Sequence, residues 1–258
     1  MERDIVGLLP AAGNATRLGL TPCSKEILPV GVEQSVRDLR SPHIHVAMEH
    51  SLRSLASAGI STAYVIIAPQ KWDIPAYLSR RGPGGLSLTY ITVSASPDVP
   101  TTLDSAYRFV GDREVALLFP DIVYEPADAL TRIRHALAAE DADVVLALVP
   151  SDRGDKVDLV DLDRDGRVVR NVAKPGAGVS GWTWVAAVWK PRFSRLLHDE
   201  VAGGVPVTAT GAERYIGDVL NRAIEAGLSI HTRAFPDGVA HDVGTLAELA
   251  AYWRRAPG

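Results

Sequence analysis

Five short apolar runs in the first 150 residues constrain the fold of this 258-residue chain more than any other feature. They are Ile5–Pro10, Thr62–Ala68, Leu86–Ser94 (this one with clean alternation of apolar and polar residues), Val115–Phe119 and Asp143–Val149. Helical patterns fall between them: Ile44–Ala58, closed by Gly59, then Thr102–Val110, then Pro126–Ala139 with a proline in its first turn. Largely continuous apolar strands alternating with helices require a mainly parallel sheet covered on both faces, an α/β architecture. After Pro150 the pattern changes. Val157–Asp161 and Arg167–Ala173 flank Asp163-Arg164-Asp165-Gly166, a hairpin signal. A strand over Trp182–Lys190, helices over Pro191–Glu200 and Glu213–Ala226, a strand over Ser229–Phe235 and a helix over Leu246–Arg254 complete the chain. With no repeat, low-complexity tract or linker, residues 1–258 read as a single domain in which 151–258 extend the sheet begun by 1–150.

Composition narrows the function classes. At 47% hydrophobic residues the chain can bury a sizeable core, and a formal net charge of −4 argues against a nucleic-acid partner, which needs a basic face. The one cysteine, Cys23, forms no internal disulfide and suits a reducing cytoplasm. Met1-Glu2-Arg3-Asp4 lacks the basic and apolar regions of a signal peptide, and no apolar run approaches a membrane span, so no membrane partner is expected. An assembly of identical chains is left open.

The chemistry concentrates at the end of the first strand. Leu8-Leu9-Pro10-Ala11-Ala12-Gly13-Asn14-Ala15-Thr16-Arg17-Leu18 runs from an apolar strand into a loop of small residues, and Ser24-Lys25-Glu26-Ile27-Leu28-Pro29-Val30 follows. Ala11, Ala12 and Gly13 keep the backbone accessible, so its N–H groups can wrap a triphosphate while Arg17 and Lys25 supply charge. A phosphate loop after the first strand is where open α/β sheets bind nucleotides. The loop lacks the Gly-Lys-Ser/Thr ending of a P-loop and the three spaced glycines of a dinucleotide loop.

This pattern resembles the signature of the sugar-phosphate nucleotidyltransferases, roughly Ala-Gly-Gly-x-Gly-Thr-Arg-Leu and then Pro-Lys-x-Leu-Leu-Pro-Val. Thr16, Arg17, Leu18, Lys25, Leu28, Pro29 and Val30 match it, whereas Ala15 and Ser24 stand where glycine and proline are usual. Lys71-Trp72-Asp73-Ile74-Pro75-Ala76-Tyr77 and Phe119-Pro120-Asp121 look like a branch described as dTDP-glucose pyrophosphorylase-like. The resemblance implies a Rossmann-like three-layer α/β/α fold with a mainly parallel mixed sheet. Residues 1–150 would be its nucleotide-binding half and 151–258 its sugar-phosphate-binding half. It also implies transfer of NMP from an NTP to a sugar 1-phosphate, or a similar phosphorylated alcohol, giving NDP-sugar and pyrophosphate in the cytoplasm. A phosphate oxygen of the sugar phosphate would attack the α-phosphorus in line, with no covalent enzyme intermediate.

Residue by residue, the resemblance gives Arg17 the leaving β- and γ-phosphates and Lys25 the α-phosphate and incoming phosphate. Such transfer calls for Mg²⁺, and the resemblance assigns it to Asp121, after a central strand, and to Asp242 in Ala240-His241-Asp242-Val243-Gly244-Thr245. Taken alone, Asp121 also reads as a turn former and Asp242 as a helix cap. Lys174 in Val172-Ala173-Lys174-Pro175 resembles the lysine of a Glu-Lys-Pro element that holds the sugar phosphate, with Ala173 in place of the glutamate. Glu213 resembles the acid of a Gly-Glu element that contacts the sugar and reads equally as an exposed helix start. Thr102 falls in a segment that the resemblance places near base and ribose, with Thr101 where glycine is usual.

Other features carry no chemistry or leave readings open. Asp161-Leu162-Asp163-Arg164-Asp165-Gly166 copies the start of a calcium loop but has Val172 where the twelfth-position glutamate belongs. Trp182 and Trp184 read equally as pocket wall or core. A glycosyltransferase of similar fold and a non-catalytic nucleotide-sugar sensor are the alternatives. The first would want a second carboxylate beside Asp121, and the second accords with the departures at Ala15, Ser24, Thr101 and Ala173.

Overall fold

A computed structural model describes residues 4–13, 21–33, 43–81, 85–94, 96–204 and 214–255. In chain order the first part holds β1 (Ile5–Ala11), β2 (Pro29–Glu33), β3 (His43–Val46), α1 (Ala47–Ser57), β4 (Thr62–Ile67), α2 (Asp73–Arg81) and β5 (Ser87–Thr92). Then come α3 (Val99–Asp104), α4 (Tyr107–Val110), β6 (Glu114–Leu118), β7 (Ile122–Glu125), α5 (Ala129–Ala139) and β8 (Val144–Ser151). The remainder holds β9 (Leu159–Leu162), β10 (Val168–Val172), β11 (Gly181–Trp189), α6 (Pro191–Ala202), α7 (Ile216–Glu225), β12 (Ile230–Ala234), β13 (Val239–Asp242) and α8 (Leu246–Arg255).

Alternation along β1 explains the layering. Ile5, Leu9 and Ala11 enter a core beneath α1, α2 and α5, while Val6 and Leu8 enter a second core beneath α3, α4, α6 and α7. A strand buried on both faces belongs in the middle of a covered sheet. β1 accordingly pairs in parallel with β4 on one side and β6 on the other, and β5 continues beyond β4. Past β6, the long β11 runs antiparallel and pairs with β8, and β12 lies parallel to β8 at that edge. The predicted hairpin forms as β9 and β10 and joins the end of β11 through Trp182 and Val160. Only β10 and β11 run against the others, so this nine-stranded mixed sheet is mainly parallel, as the sequence implied. Gly7 lets α1 settle onto β1, because a Cβ there would meet Leu55 at 2.7 Å.

Several elements differ from the sequence expectation. Ile44–Val46, expected to open a helix, pairs with β2 in a separate two-stranded ribbon, and α1 starts only at Ala47. The helix expected over Thr102–Val110 begins earlier, at Val99. Asp98 caps it by accepting the Thr101 N–H at 2.8 Å, and it breaks at Ser105 into α3 and α4. Pro126 precedes α5 in a turn closed from the Ala129 N–H to the Pro126 carbonyl, outside the helix it was expected to start. The ribbon of β7 and β13 had no sequence signal, and it builds the site. No helix among the described residues is long and apolar enough to cross a membrane.

Candidate active site

The C-terminal ends of β1, β4, β5 and β6 open onto a crevice of about 420 Å³, where parallel sheets bind ligands. Its lining includes Ala12 and Gly13 after β1, Ser94 and Ser96 after β5, Thr102 on α3, and Lys25, Glu26 and Asp121. A second cavity of about 240 Å³ adjoins it, sharing Val99 and Phe119. This one is lined by Arg153, Lys156, Asp158, Trp184, Tyr215, Asp242 and Glu248. Phe119 and Trp184 pack with ring centroids 5.6 Å apart.

Asp121 and Asp242 meet because β7 and β13 pair antiparallel in a register that sets Ile122 opposite Asp242. The Val243 N–H donates to the Asp121 carbonyl at 3.0 Å and locks that end of the ribbon. Asp242 then folds onto the backbone, accepting the Gly244 N–H at 2.6 Å. A Cβ on Gly244 would lie 2.6 Å from Asp242 Oδ1 and 3.6 Å from Asp121 Oδ2. Glycine is therefore what lets both carboxylates share this corner.

Lys25 completes the corner, its Nζ donating to Asp121 Oδ2 at 2.5 Å. Burial by itself would lower the Lys25 pKa, but the carboxylates of Asp121, Glu26 and Asp242 outweigh it and hold the ammonium above the usual lysine value. Burial pushes Asp242 up, and Asp121 adds to this, against the opposing Gly244 N–H and Lys25. Two half-buried carboxylates facing one cation form a site with excess negative charge that a second cation would relieve. Burial also pushes the Cys23 thiol up, with Asp73 and Glu26 adding to it, so it is not a thiolate nucleophile at neutral pH.

No protein-family model matches the chain. Glucose-1-phosphate thymidylyltransferase from Streptomyces antibioticus is 24% identical over 243 residues, covering 94% of this chain. The chain spans 63% of the length of that relative. A Bacillus anthracis protein assigned as a glucose-1-phosphate thymidylyltransferase, solved with sucrose, superposes with a TM-score of 0.79 at 17% identity, covering 98% of this chain and 96% of that one. UDP-glucose pyrophosphorylase complexed with UDP-glucose gives 0.76 at 16% identity, with 96% and 97% covered. UTP-bound UGPase from Acinetobacter baumannii gives 0.74 at 16%, with 96% and 92% covered. The chain shares the fold of these solved structures along nearly its whole length.

Within this fold the residues singled out by sequence fall into distinct groups. Lys25, Asp121 and Asp242 converge at the corner described above. Ala12 and Gly13 line the first cavity, whereas Ala11 ends β1 inside the core. Thr102 lines it too, its hydroxyl donating to Ser96 Oγ at 2.8 Å or to the Asp98 carbonyl at 3.0 Å. Lys174 is exposed and in a left-handed conformation (φ 41°). Its Nζ donates to the Tyr215 hydroxyl at 3.0 Å and sits 4.3 Å from that ring's centroid. It borders the second cavity through Tyr215 and through Asp158, whose carboxyl pKa its charge and backbone N–H help to lower against the burial that raises it. Arg17 and Glu213 lie outside the described residues.

Sequence reasoning missed several neighbours. Asp98 is buried and receives Arg214 Nε at 2.7 Å, while Arg214 also donates to Thr101 Oγ1 at 3.0 Å. These hydrogen bonds hold the Asp98 carboxyl below the usual aspartate value although burial opposes them. Asp98 was detectable as a helix cap three residues before Thr101. Its arginine partner, 116 residues away, was not. In the second cavity Glu248 receives Arg153 and the Thr245 hydroxyl, with Lys156 Nζ at 3.5 Å, and these partners hold its carboxyl low against burial.

Proposed function

We propose that the chain transfers NMP from a nucleoside triphosphate to a sugar 1-phosphate, releasing NDP-sugar and pyrophosphate. The observation that carries this reading is the corner of Lys25, Asp121 and Asp242, set where the cavity at the strand ends meets a second cavity. One cavity accommodates the triphosphate nucleotide and the other the phosphorylated sugar, so the reacting groups meet at their junction. The sequence relative acts, by its name, on glucose 1-phosphate and a thymidine nucleotide. We take thymidylyl transfer to a hexose phosphate as the first pairing to test.

In this reading Lys25 directs its ammonium at the α-phosphate, and the accessible backbone of Ala12 and Gly13 lies beside the phosphate chain. Asp121 orients Lys25 and keeps it protonated. A phosphate oxygen of the sugar phosphate bonds to the α-phosphorus as the bond to the bridging oxygen of pyrophosphate breaks. The protein forms no bond of its own, and its contribution is position and charge. Arg17 is assigned the β- and γ-phosphates, and Thr102, Glu213 and Lys174 lesser contacts to the substrates.

Asp121 and Asp242 fit a divalent cation: they offer hard carboxylate oxygens side by side, with Asp242 destabilised by its neighbour. No cluster of three or more His, Cys, Asp or Glu is assembled among the described residues, so phosphate oxygens and water would complete the coordination of Mg²⁺. Bound there, Mg²⁺ would neutralise charge on the phosphates. We assign the reaction to the cytoplasm, the reducing compartment that a lone cysteine suits.

The deciding experiment measures Mg²⁺-dependent exchange of radiolabelled pyrophosphate into NTP in the presence of NDP-sugars. Exchange with any pair supports the reading and excludes a glycosyltransferase or a sensor, neither of which makes pyrophosphate. No exchange across all common bases and a panel of sugars overturns it.

A further inference from the structure

Two side chains that the proposed reaction does not use grip the segment carrying Lys25 from either side. Asp73 opens α2 and Lys71 lies two residues before it, both in the Lys71–Tyr77 stretch distinguished by sequence. Asp73 accepts both hydrogen bonds that Ser24 can donate, from the backbone N–H at 2.6 Å and from Oγ at 2.7 Å. Lys71 Nζ reaches both oxygens of Glu26, at 2.7 and 2.9 Å, and this pair is buried. Lys25 stands between the two gripped residues and points at Asp121.

The conformation of Ser24 shows what the grip achieves. Its φ of −58° and ψ of 142° are the values a proline ring favours. Proline is the residue usual at this place in the signature that the sequence resembles. A serine has no ring to hold φ, and an unconstrained one samples many conformations. Asp73 closes both its donors onto one carboxylate, and one of those donors is an N–H that proline lacks. The departure at Ser24 and the acid at Asp73 thus compensate each other across 49 residues.

We infer that Asp73 is a positioning residue for Lys25, doing through two hydrogen bonds what a proline ring does covalently. This rests on the proposed role of Lys25, and the test separates the two. In Asp73→Ala, kcat should fall about tenfold or more while KM for NTP changes less than about threefold, because Lys25 is misplaced and the nucleotide cavity is intact. Adding Ser24→Pro to Asp73→Ala should recover most of the lost kcat, since the ring restores φ and no carboxylate opposes it. A residue acting only through general stability would show neither the split nor the rescue.

Hydrogen exchange of the peptide holding residues 24–28 reads the same clamp without any activity. Exchange should quicken in Asp73→Ala and slow again in the double variant. If the wild type gives no pyrophosphate exchange, the functional reading has failed and hydrogen exchange still decides the clamp. Wild-type kcat and wild-type hydrogen exchange in Asp73→Ala overturn the inference, as does a double variant no better than Asp73→Ala. Should Asp73→Ala fail to fold, Ser24→Ala, which removes only the Oγ bond, takes its place. A smaller loss of kcat with faster exchange is then expected, and no change in either is the refuting result.

Discussion

His50 should make the fold sensitive to mild acid. It lies on α1 behind the site ribbon, where its Nε2 accepts the Tyr124 N–H at 3.3 Å and its ring meets the Tyr124 ring edge-on at 4.5 Å. Burial, helped by the charge of Arg53, lowers its pKa from 6.5 to about 4. Between those values the unfolded chain holds a proton on this histidine that the folded chain refuses. The folded state therefore gains stability as pH rises through that window. The contribution is fully present above 6.5 and is lost as pH falls toward about 4. The whole interval is worth about 3 kcal/mol, a large share of the ~5–15 kcal/mol typical of a folded domain.

The perturbation is His50→Gln, whose carboxamide oxygen can still accept the Tyr124 N–H but takes up no proton. Urea unfolding at about pH 7.5 and about pH 4.5 should show the wild type losing about 2–3 kcal/mol more than the variant. Other acids titrate in the same range, so only the difference between the two proteins bears on His50. Equal losses in wild type and variant would falsify the assignment of a half-buried, neutral His50.

Arg17 and Lys25 should fail differently. Arg17→Ala should raise KM for NTP and slow turnover, whereas Lys25→Ala should mainly lower kcat, because charge beside the reacting phosphorus matters most in the transition state. Full activity in Lys25→Ala would remove the main support for nucleotidyl transfer. Asp121→Ala and Asp242→Ala should each cut turnover by about a hundredfold or more at saturating Mg²⁺ with a folded circular-dichroism spectrum, and near-wild-type rates in either would make that aspartate structural. Lys71→Met should cost roughly 3–5 kcal/mol by stranding the buried Glu26 carboxylate, and adding Glu26→Gln should return much of it; denaturant midpoints of the two variants check this, and an unaffected single variant refutes it.

The central strands β1, β4 and β6 were legible from sequence because each is an apolar run that stays buried wherever it lands, with no knowledge of its partners needed. Lys25 was singled out for a similar reason: it sits in one local pattern of small and basic residues after a strand. Ile44–Val46 was not, since the same apolar spacing serves a helix start or a strand, and only pairing with β2 decided between them. Asp121 and Asp242 were each readable as a metal ligand or an ordinary turn residue. Their convergence comes from the ribbon of β7 and β13, joining segments whose Ile122 and Asp242 pair across 120 positions of sequence. The same holds for Asp73 on Ser24 and Lys71 on Glu26, whose roles exist only once α2 docks beside the Lys25 segment. Local periodicity encodes which surface an element buries. It carries no record of which distant residue will face it, and that was settled only by the packing of the whole chain.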